Sequence, residues 1–250
     1  SLNSINATSS AIVNYISQKA GIGINAGRIR AIGQPIRNGD AMHTGLIPFL
    51  KLFQAAVKSC SQGGVRGGAA TVYLPGWHLE FEDLVVLKNN KGTENNRVRH
   101  MDYAFQLNKL MYTRLITGGD ITLFSPDEVP DLYDAFFADQ EKFEELYEKY
   151  ERSRSVKKKT MPAQEYFSTL ISERKDTGRI YIMNVDNANT HSAFDEAQAP
   201  IKQSNLCCEI NLPTNPLDDV ADENGEISLC TLSAINWGAF KTPQEMQKTC

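Results

Sequence analysis

One heptapeptide brings three reactive side-chain types together. Gln203-Ser204-Asn205-Leu206-Cys207-Cys208-Glu209 sets an amide, a thiol and a carboxylate at alternate positions. In an extended strand alternate side chains share a face, so Asn205, Cys207 and Glu209 converge and Cys208 points the other way. Such a set offers a hydrogen-bonding amide, a reactive sulfur and a base. A further thiol, Cys230, follows 23 residues after Cys207 in the run Glu226–Gly238, which has a buried-strand pattern. Taken singly, each cysteine is more often a small core residue than a nucleophile. There is no C-x-x-C and no histidine pair at helical spacing, which argues against zinc. His43, His78, His100 and His191 are scattered and read as structural or surface residues.

Two glycine-rich segments could handle phosphate. Gly21-Ile22-Gly23-Ile24-Asn25-Ala26-Gly27 has the spacing G-x-G-x-x-x-G and follows a helix pattern, so it fails the dinucleotide fingerprint on both counts. It reads as a loop followed by Arg28, Arg30 and Arg37, whose guanidiniums suit phosphate, or as an ordinary connection. Residues 63–68 place four glycines in six positions around Arg66. Ala69-Ala70 stands where a P-loop needs Lys-Ser/Thr, which excludes a Walker-type site. The segment is either a loop that orders around a ligand through Gln62 and Arg66, or a long turn into the next strand.

The elements that must position these residues alternate. Helical periodicity covers 9–19, 44–58, 79–87, 98–115, 131–154 and 163–174. Strands are expected at 69–74, 120–124, 179–185, 203–210 and 226–232, with Lys157–Lys159 in a loop. Residues 131–154 combine an apolar face from Leu132 to Tyr150 with a charged face that reads as solvated. Alternation of this kind predicts an α/β sheet or barrel with parallel pairing in a single domain over 1–250, with chemistry at strand ends.

Composition narrows the class. The chain has 250 residues, 41% hydrophobic and 22% charged, ordinary for a soluble globular domain. No apolar run reaches the roughly 18 residues of a membrane helix. With 26 basic and 30 acidic residues the net charge is −4, which argues against a nucleic-acid or membrane partner. Five cysteines, sparse and odd in number, point to a reducing, cytoplasmic location. The chain opens at Ser1, and Thr242-Pro243-Gln244-Glu245 announces a helix that has only as far as Cys250 to run, so a piece of a larger polypeptide is expected.

The motifs together resemble a known family. Asn-Leu-Cys-x-Glu at Asn205–Glu209, Leu-Pro-Thr after it, and Leu-Cys-Thr-Leu-Ser-Ala at Leu229–Ala234 are similar to the large catalytic subunit of aerobic class I ribonucleotide reductase, bacterial or phage type. The likeness continues through Ser4–Ser10, Lys58–Ala70, Asn96–Asp102 and Asp134–Gln140, in order and over essentially the whole chain. It implies part of a ten-stranded α/β barrel with a central finger loop.

The resemblance also implies roles. Cys207 becomes a thiyl radical that removes the ribose 3′-hydrogen, Glu209 takes the 3′-hydroxyl proton, and Asn205 orients the sugar hydroxyls. Cys230 is one of two reducing thiols. Its partner in the family lies upstream of the segment matching Ser1–Asn6, so no thiol of this chain is a convincing substitute. Ala20 and Gly21 match substrate contacts. Ser1, Leu2, Arg30 and Arg37 match contacts of a deoxynucleotide effector, and Gln62 and Arg66 belong to the loop that reports it. The family has no cofactor bound directly to this subunit. Its radical comes from a metal-containing small subunit, its effectors are deoxynucleotides and ATP, and its other partners are a ribonucleoside diphosphate, a second large subunit and thioredoxin or glutaredoxin. Cys208 departs from the family, which generally has an apolar residue or Thr there. By this likeness the chain is inactive alone and needs flanking large-subunit segments. Two alternatives stay open: a catalytically silent deoxynucleotide-binding module, and a fragment of an adenosylcobalamin-dependent reductase.

Overall fold

The computed structural model describes residues 1–62, 64, 66–229 and 234–249, with backbone alone at 61, 62, 66 and 249. Its centre is a parallel sheet in which Ile22–Asn25 pairs with Ala70–Pro75, that strand with Asp102–Leu107, and that strand with Ile180–Asn184. Strands that neighbour one another in strict chain order wind in one direction, the topology of a barrel wall and not of a doubly wound sheet. Among the described residues no helix is long and apolar enough to cross a membrane.

All residues of Ala70–Pro75 and Asp102–Leu107 are buried. One face, with Val72, Leu74, Tyr103, Phe105, Leu107 and Ile180, packs on the main helical core. The other face has Tyr73, Ala104 and Met183, joined by Ile201 and the half-buried Cys208. Burial on both faces explains why 98–115 misreads as one helix. Asp102–Leu107 is a strand, and only Lys109–Thr117 is helical, started by the Asn108 side chain accepting from the Met111 N–H at 3.4 Å. Apolar residues at 103, 104, 105 and 107 with Asp102 and Gln106 four apart let this buried parallel strand imitate a helical stripe.

Other boundaries also shift. The first helix starts at Leu2, with the Ser1 hydroxyl accepting from the Ser4 N–H at 3.2 Å, and the short helix after Trp77 spans only Phe81–Val85. The 131–154 stretch is two helices, Pro130–Ala138 and Gln140–Arg152. Asp139, extended at φ −158°, separates them and caps the second through Lys142 N–H at 3.0 Å. The 157–159 region is not a loop: Lys158–Pro162 pairs antiparallel with Asp120–Phe124. Residues 21–27 are not a loop either, since Ile22–Asn25 is the edge strand of the sheet. At 203–210 there is a turn-rich loop instead of a strand, and among the described residues 226–229 only Glu226 bridges, to Asn215. The rest of that segment from 230 to 232 lies outside the described residues. Pro243–Thr249 is helical as expected, with the Thr242 hydroxyl accepting from the Glu245 N–H at 3.2 Å.

The segment between Asp120 and Pro162 packs Phe124, Tyr133, Phe136, Phe137, Phe143 and Tyr147 around Trp77 in a second, aromatic core. Tyr147 closes the strand edge that faces it: its hydroxyl accepts from Thr122 N–H and donates to Thr122 C=O, both at 2.7 Å. Removing it leaves two buried backbone groups without partners. Tyr147→Phe is therefore expected to lower stability by about 2 kcal/mol, read as a lower urea midpoint at unchanged slope.

Candidate active site

Residues 201–210 cross the inner face of the sheet. An irregular segment buried in this way must hand each backbone polar group a partner. Asn189, almost wholly buried, fixes the entry: its amide oxygen accepts from Ile201 N–H at 2.7 Å and its nitrogen donates to Ile201 C=O at 3.1 Å. Lys202 C=O then accepts from Asn25 Nδ2 and from Gln106 Nε2, each at 2.8 Å. The Tyr73 hydroxyl donates to Asn205 C=O at 2.6 Å, and the Thr71 hydroxyl to Leu206 C=O at 2.5 Å. Gln203 Nε2 reaches Gly23 C=O at 3.1 Å. Three strands of the sheet thus hold one loop through side chains that their own pairing leaves over.

Glycine makes the close approach possible. A Cβ on Gly21 would come within 2.6 Å of Leu206 Cδ2, and one on Gly23 would collide with the Ser204 carbonyl. Gly21, just before the edge strand, and Gly23, within it, lie two apart and so share the face under the loop. Their function is steric access, which a G-x-G search aimed at phosphate does not ask about.

The expected reactive set is assembled by a turn, not by strand alternation. Asn205 Nδ2 donates to Glu209 Oε1 at 2.8 Å. Asn205 Oδ1 accepts from the backbone N–H of Glu209 at 3.1 Å and of Ile210 at 3.2 Å. The chain reverses at Cys208, whose φ is +66°. Cys207 stands exposed at the tip, while Cys208 folds inward against the Tyr73–Met183 cluster. Burial pushes the Cys208 thiol up, and its side-chain interaction with Tyr73 opposes the shift. The same burial pushes the Tyr73 phenol up.

A cavity of about 820 Å³ runs from this tip along the edge strand to the first helix. Asn205, Cys207, Glu209, Ala20 and Gly21 line it at one end, and Ser1, Leu2, Arg30 and Arg37 line it further on. The structure therefore brings Asn205, Cys207, Glu209, Ala20, Gly21, Ser1, Leu2, Arg30 and Arg37 of the predicted residues onto one cleft. Ser228 and Leu229 also line it, and Cys230 itself lies outside the described residues. Gln62 and Arg66 are in a small antiparallel ribbon, Ser61–Gln62 with Arg66–Gly67; their side chains lie outside the described residues. Sequence reasoning missed the loop-holding residues Thr71, Tyr73 and Gln106. Their signal was polar or hydroxyl-bearing side chains recurring at alternate positions in otherwise apolar strands.

Residues 1–249 match the family model described as the ribonucleotide reductase barrel domain. The chain is similar to the ribonucleoside-diphosphate reductase subunit alpha of Haemophilus influenzae, 69% identical over 241 residues, which cover 96% of this chain and 32% of that protein. The Escherichia coli ribonucleoside-diphosphate reductase 1 subunit alpha is 71% identical over 219 residues, 88% of this chain and 29% of that protein. The enterobacteria phage T4 subunit alpha is 57% identical over 236 residues, 94% of this chain and 31% of that protein. The chain spans about a third of the length of these curated relatives.

Alkylation with iodoacetamide, followed at each cysteine by mass spectrometry, checks the loop geometry. Cys207 is expected to react well before Cys208. Tyr73→Phe removes one hydrogen bond to the loop worth about 1 kcal/mol, which makes opening of the loop about fivefold more frequent, and the Cys208 rate should rise through the open form. Gly23→Ala, which forces the loop off the sheet, should raise it further.

Proposed function

The chain belongs to the ribonucleotide reductase barrel-domain family, and from that premise we propose that it is the central catalytic segment of a large subunit reducing ribonucleoside diphosphates to deoxyribonucleotides. The observation that carries the reading is the loop tip. Cys207 is exposed into the cleft, with Asn205 and Glu209 hydrogen-bonded to one another beside it.

Chemistry at an unactivated ribose C–H cannot be done by acid or base and calls for a radical. A metal-containing small subunit supplies it, and no cofactor sits on this segment itself. The Cys207 thiol loses its hydrogen atom to that radical source, and the resulting thiyl takes the 3′-hydrogen of the ribose. Glu209 accepts the 3′-hydroxyl proton, and Asn205 donates to the sugar oxygens and stabilises the carbonyl that develops. The 2′-hydroxyl leaves as water, taking its proton from a reducing thiol. The two electrons that replace it come from a thiol pair containing Cys230, which ends as a disulfide, and the 3′-hydrogen returns from Cys207. The second thiol of that pair belongs to another part of the large subunit.

Asn205 serves the turn and the substrate at once. Its oxygen is taken up by the backbone N–H groups of Glu209 and Ile210, which leaves the amide nitrogen to bridge toward the carboxylate. Ala20 and Gly21 border the substrate end of the cleft. Ser1, Leu2, Arg30 and Arg37 border the end assigned to a deoxynucleotide or ATP effector, with Gln62 and Arg66 in the reporting ribbon. The partners that complete the reading are flanking large-subunit segments, a second large subunit and a thioredoxin or glutaredoxin reductant, in the cytoplasm.

The test is reduction of a ribonucleoside diphosphate by the complete large subunit with small subunit, effector and thiol reductant. Cys207→Ser is expected to abolish turnover, and Glu209→Gln to lower it by about 10²- to 10⁴-fold, the usual range for a lost general base. Turnover that survives Cys207→Ser would refute the reading. Full nucleotide binding with no turnover in the assembled wild type would favour the binding-only module instead.

A further inference from the structure

Between the edge strand and the helix Ile47–Lys58 the chain makes a long excursion that carries Arg30 and Arg37. Its outer part is a two-residue ribbon, Pro35–Ile36 against Ala41–Met42. The turn at its tip has positive φ at Arg37, Asn38 and Gly39, at 52°, 57° and 96°. A ribbon this thin has no core of its own, so its direction is set by contacts around it: Gln34 Nε2 donates to Glu128 Oε2 at 2.9 Å, Arg30 Nη1 to Pro35 C=O at 2.9 Å, and the rest come at its base.

That base converges on a buried carboxylate. Glu80 is 6% exposed. Its Oε2 accepts from Ile32 N–H at 3.0 Å on the outgoing limb and from Leu46 N–H at 3.2 Å on the returning limb. It makes no capping bond to the helix Phe81–Val85 that it precedes. Gly45 makes room for it: φ there is +85°, and a Cβ would lie 2.6 Å from Glu80 Oε1. Burying a carboxylate is costly unless charge-assisted hydrogen bonds return the energy, and here both donors belong to the excursion.

Two neighbours extend the clamp. His78 is wholly buried, and its Nδ1 accepts from Glu80 N–H at 3.1 Å. That assigns the proton to Nε2, which faces Ile29 C=O at 3.0 Å. Burial lowers its pKa to about 4, so the ring stays neutral in this role. The Ser125 hydroxyl accepts from Ala31 N–H at 2.9 Å. Backbone groups of residues 29, 31, 32 and 46 are thus all held by side chains of the barrel, and Arg30 lies between two of them. Nothing in the Cys207 chemistry uses Glu80, His78 or Ser125.

We propose that Glu80, oriented by His78 and accommodated by Gly45, is a positioning residue for the deoxynucleotide effector: it ties both limbs of the excursion and thereby sets where Arg30 and Arg37 stand. The proposal rests on the reading of those arginines as effector contacts. Losing Glu80 leaves two buried N–H groups to compete for other acceptors, so the ribbon samples several directions and the nucleotide must first select one.

The test measures dTTP binding to the complete large subunit by equilibrium dialysis, together with the melting temperature without nucleotide and the ratio of pyrimidine to purine diphosphate reduced when dTTP is present. Glu80→Gln keeps the shape and should weaken dTTP by about tenfold, about 1.4 kcal/mol, and flatten the effector-dependent ratio. Gly45→Ala, which displaces the carboxylate, should do the same by an independent route, and Glu80→Asp should recover part of the affinity. Should Glu80→Gln fail to fold, Gly45→Ala and Ser125→Ala decide the matter on the same readouts. Arg37→Ala is the control. If it weakens dTTP while the Glu80 and Gly45 variants bind like wild type, or only melt earlier, the positioning role is wrong and the effector reading stands. If Arg37→Ala also binds like wild type, the effector reading fails and takes this inference with it.

Discussion

Everything at the candidate site depends on one requirement: an irregular chain buried against a sheet must have its carbonyls met by donors. The loop 201–210 meets it by borrowing from the strands beneath. Thr71 and Tyr73 come from one strand, Gln106 from the next and Asn25 from the edge, and together they take up the carbonyls of Lys202, Asn205 and Leu206. Outward from the same strands, Val72, Leu74, Tyr103 and Phe105 bury ordinary apolar surface against helices. The sheet is thus a partition with a greasy side and a hydrogen-bonding side. Substituting apolar residues on the second side would deepen the core and strand the loop, because an unpaired buried carbonyl costs more than a typical hydrogen bond gains.

This double duty decides what could be read from the sequence. Strands bounded by clear breakers, such as Ala70–Pro75 after the glycine cluster and Asp120–Phe124 before Ser125-Pro126, were legible. Asp102–Leu107 was not, because its inner-face residues Asp102 and Gln106 are four apart and mimic the polar side of a helix. The same alternation is what lets Tyr103, Phe105 and Leu107 face the helices. Lys158–Pro162 was hidden by its lysines. It is an exposed ribbon strand whose Met161 alone is buried, and such a strand carries little apolar signal.

The reactive set was legible as residues and misjudged as geometry. Alternation in a strand would have aimed Asn205, Cys207 and Glu209 together and left them a ladder apart. The turn does more: with φ positive at Cys208, five residues close on themselves, and Asn205 bonds both the side chain and the N–H of Glu209. The inward turn of Cys208 survives from the strand picture for a different reason, namely that the tip must bury one side chain to dock. A thiol there fills a site suited to a small apolar group, and the raised affinity of that sulfur for its proton keeps it less reactive than an exposed thiol.

The edge strand Ile22–Asn25 links the two ends of the cleft, and its composition follows from that position. Toward its start, Gly21 and Gly23 let the loop lie against it. At its end the Asn25 side chain both donates to Lys202 C=O and accepts from Gly27 N–H, which turns the chain toward Ile29 and the excursion held by Glu80. The strand therefore has the reactive loop on one flank and the arginine-bearing segment at its end, with rigid parallel pairing to Ala70–Pro75 between them. A short strand fixed on both counts has little freedom to deform, since packed elements shift between discrete arrangements more readily than they bend. Asn25 thus joins the start of the excursion to the entrance of the loop whose tip is Cys207.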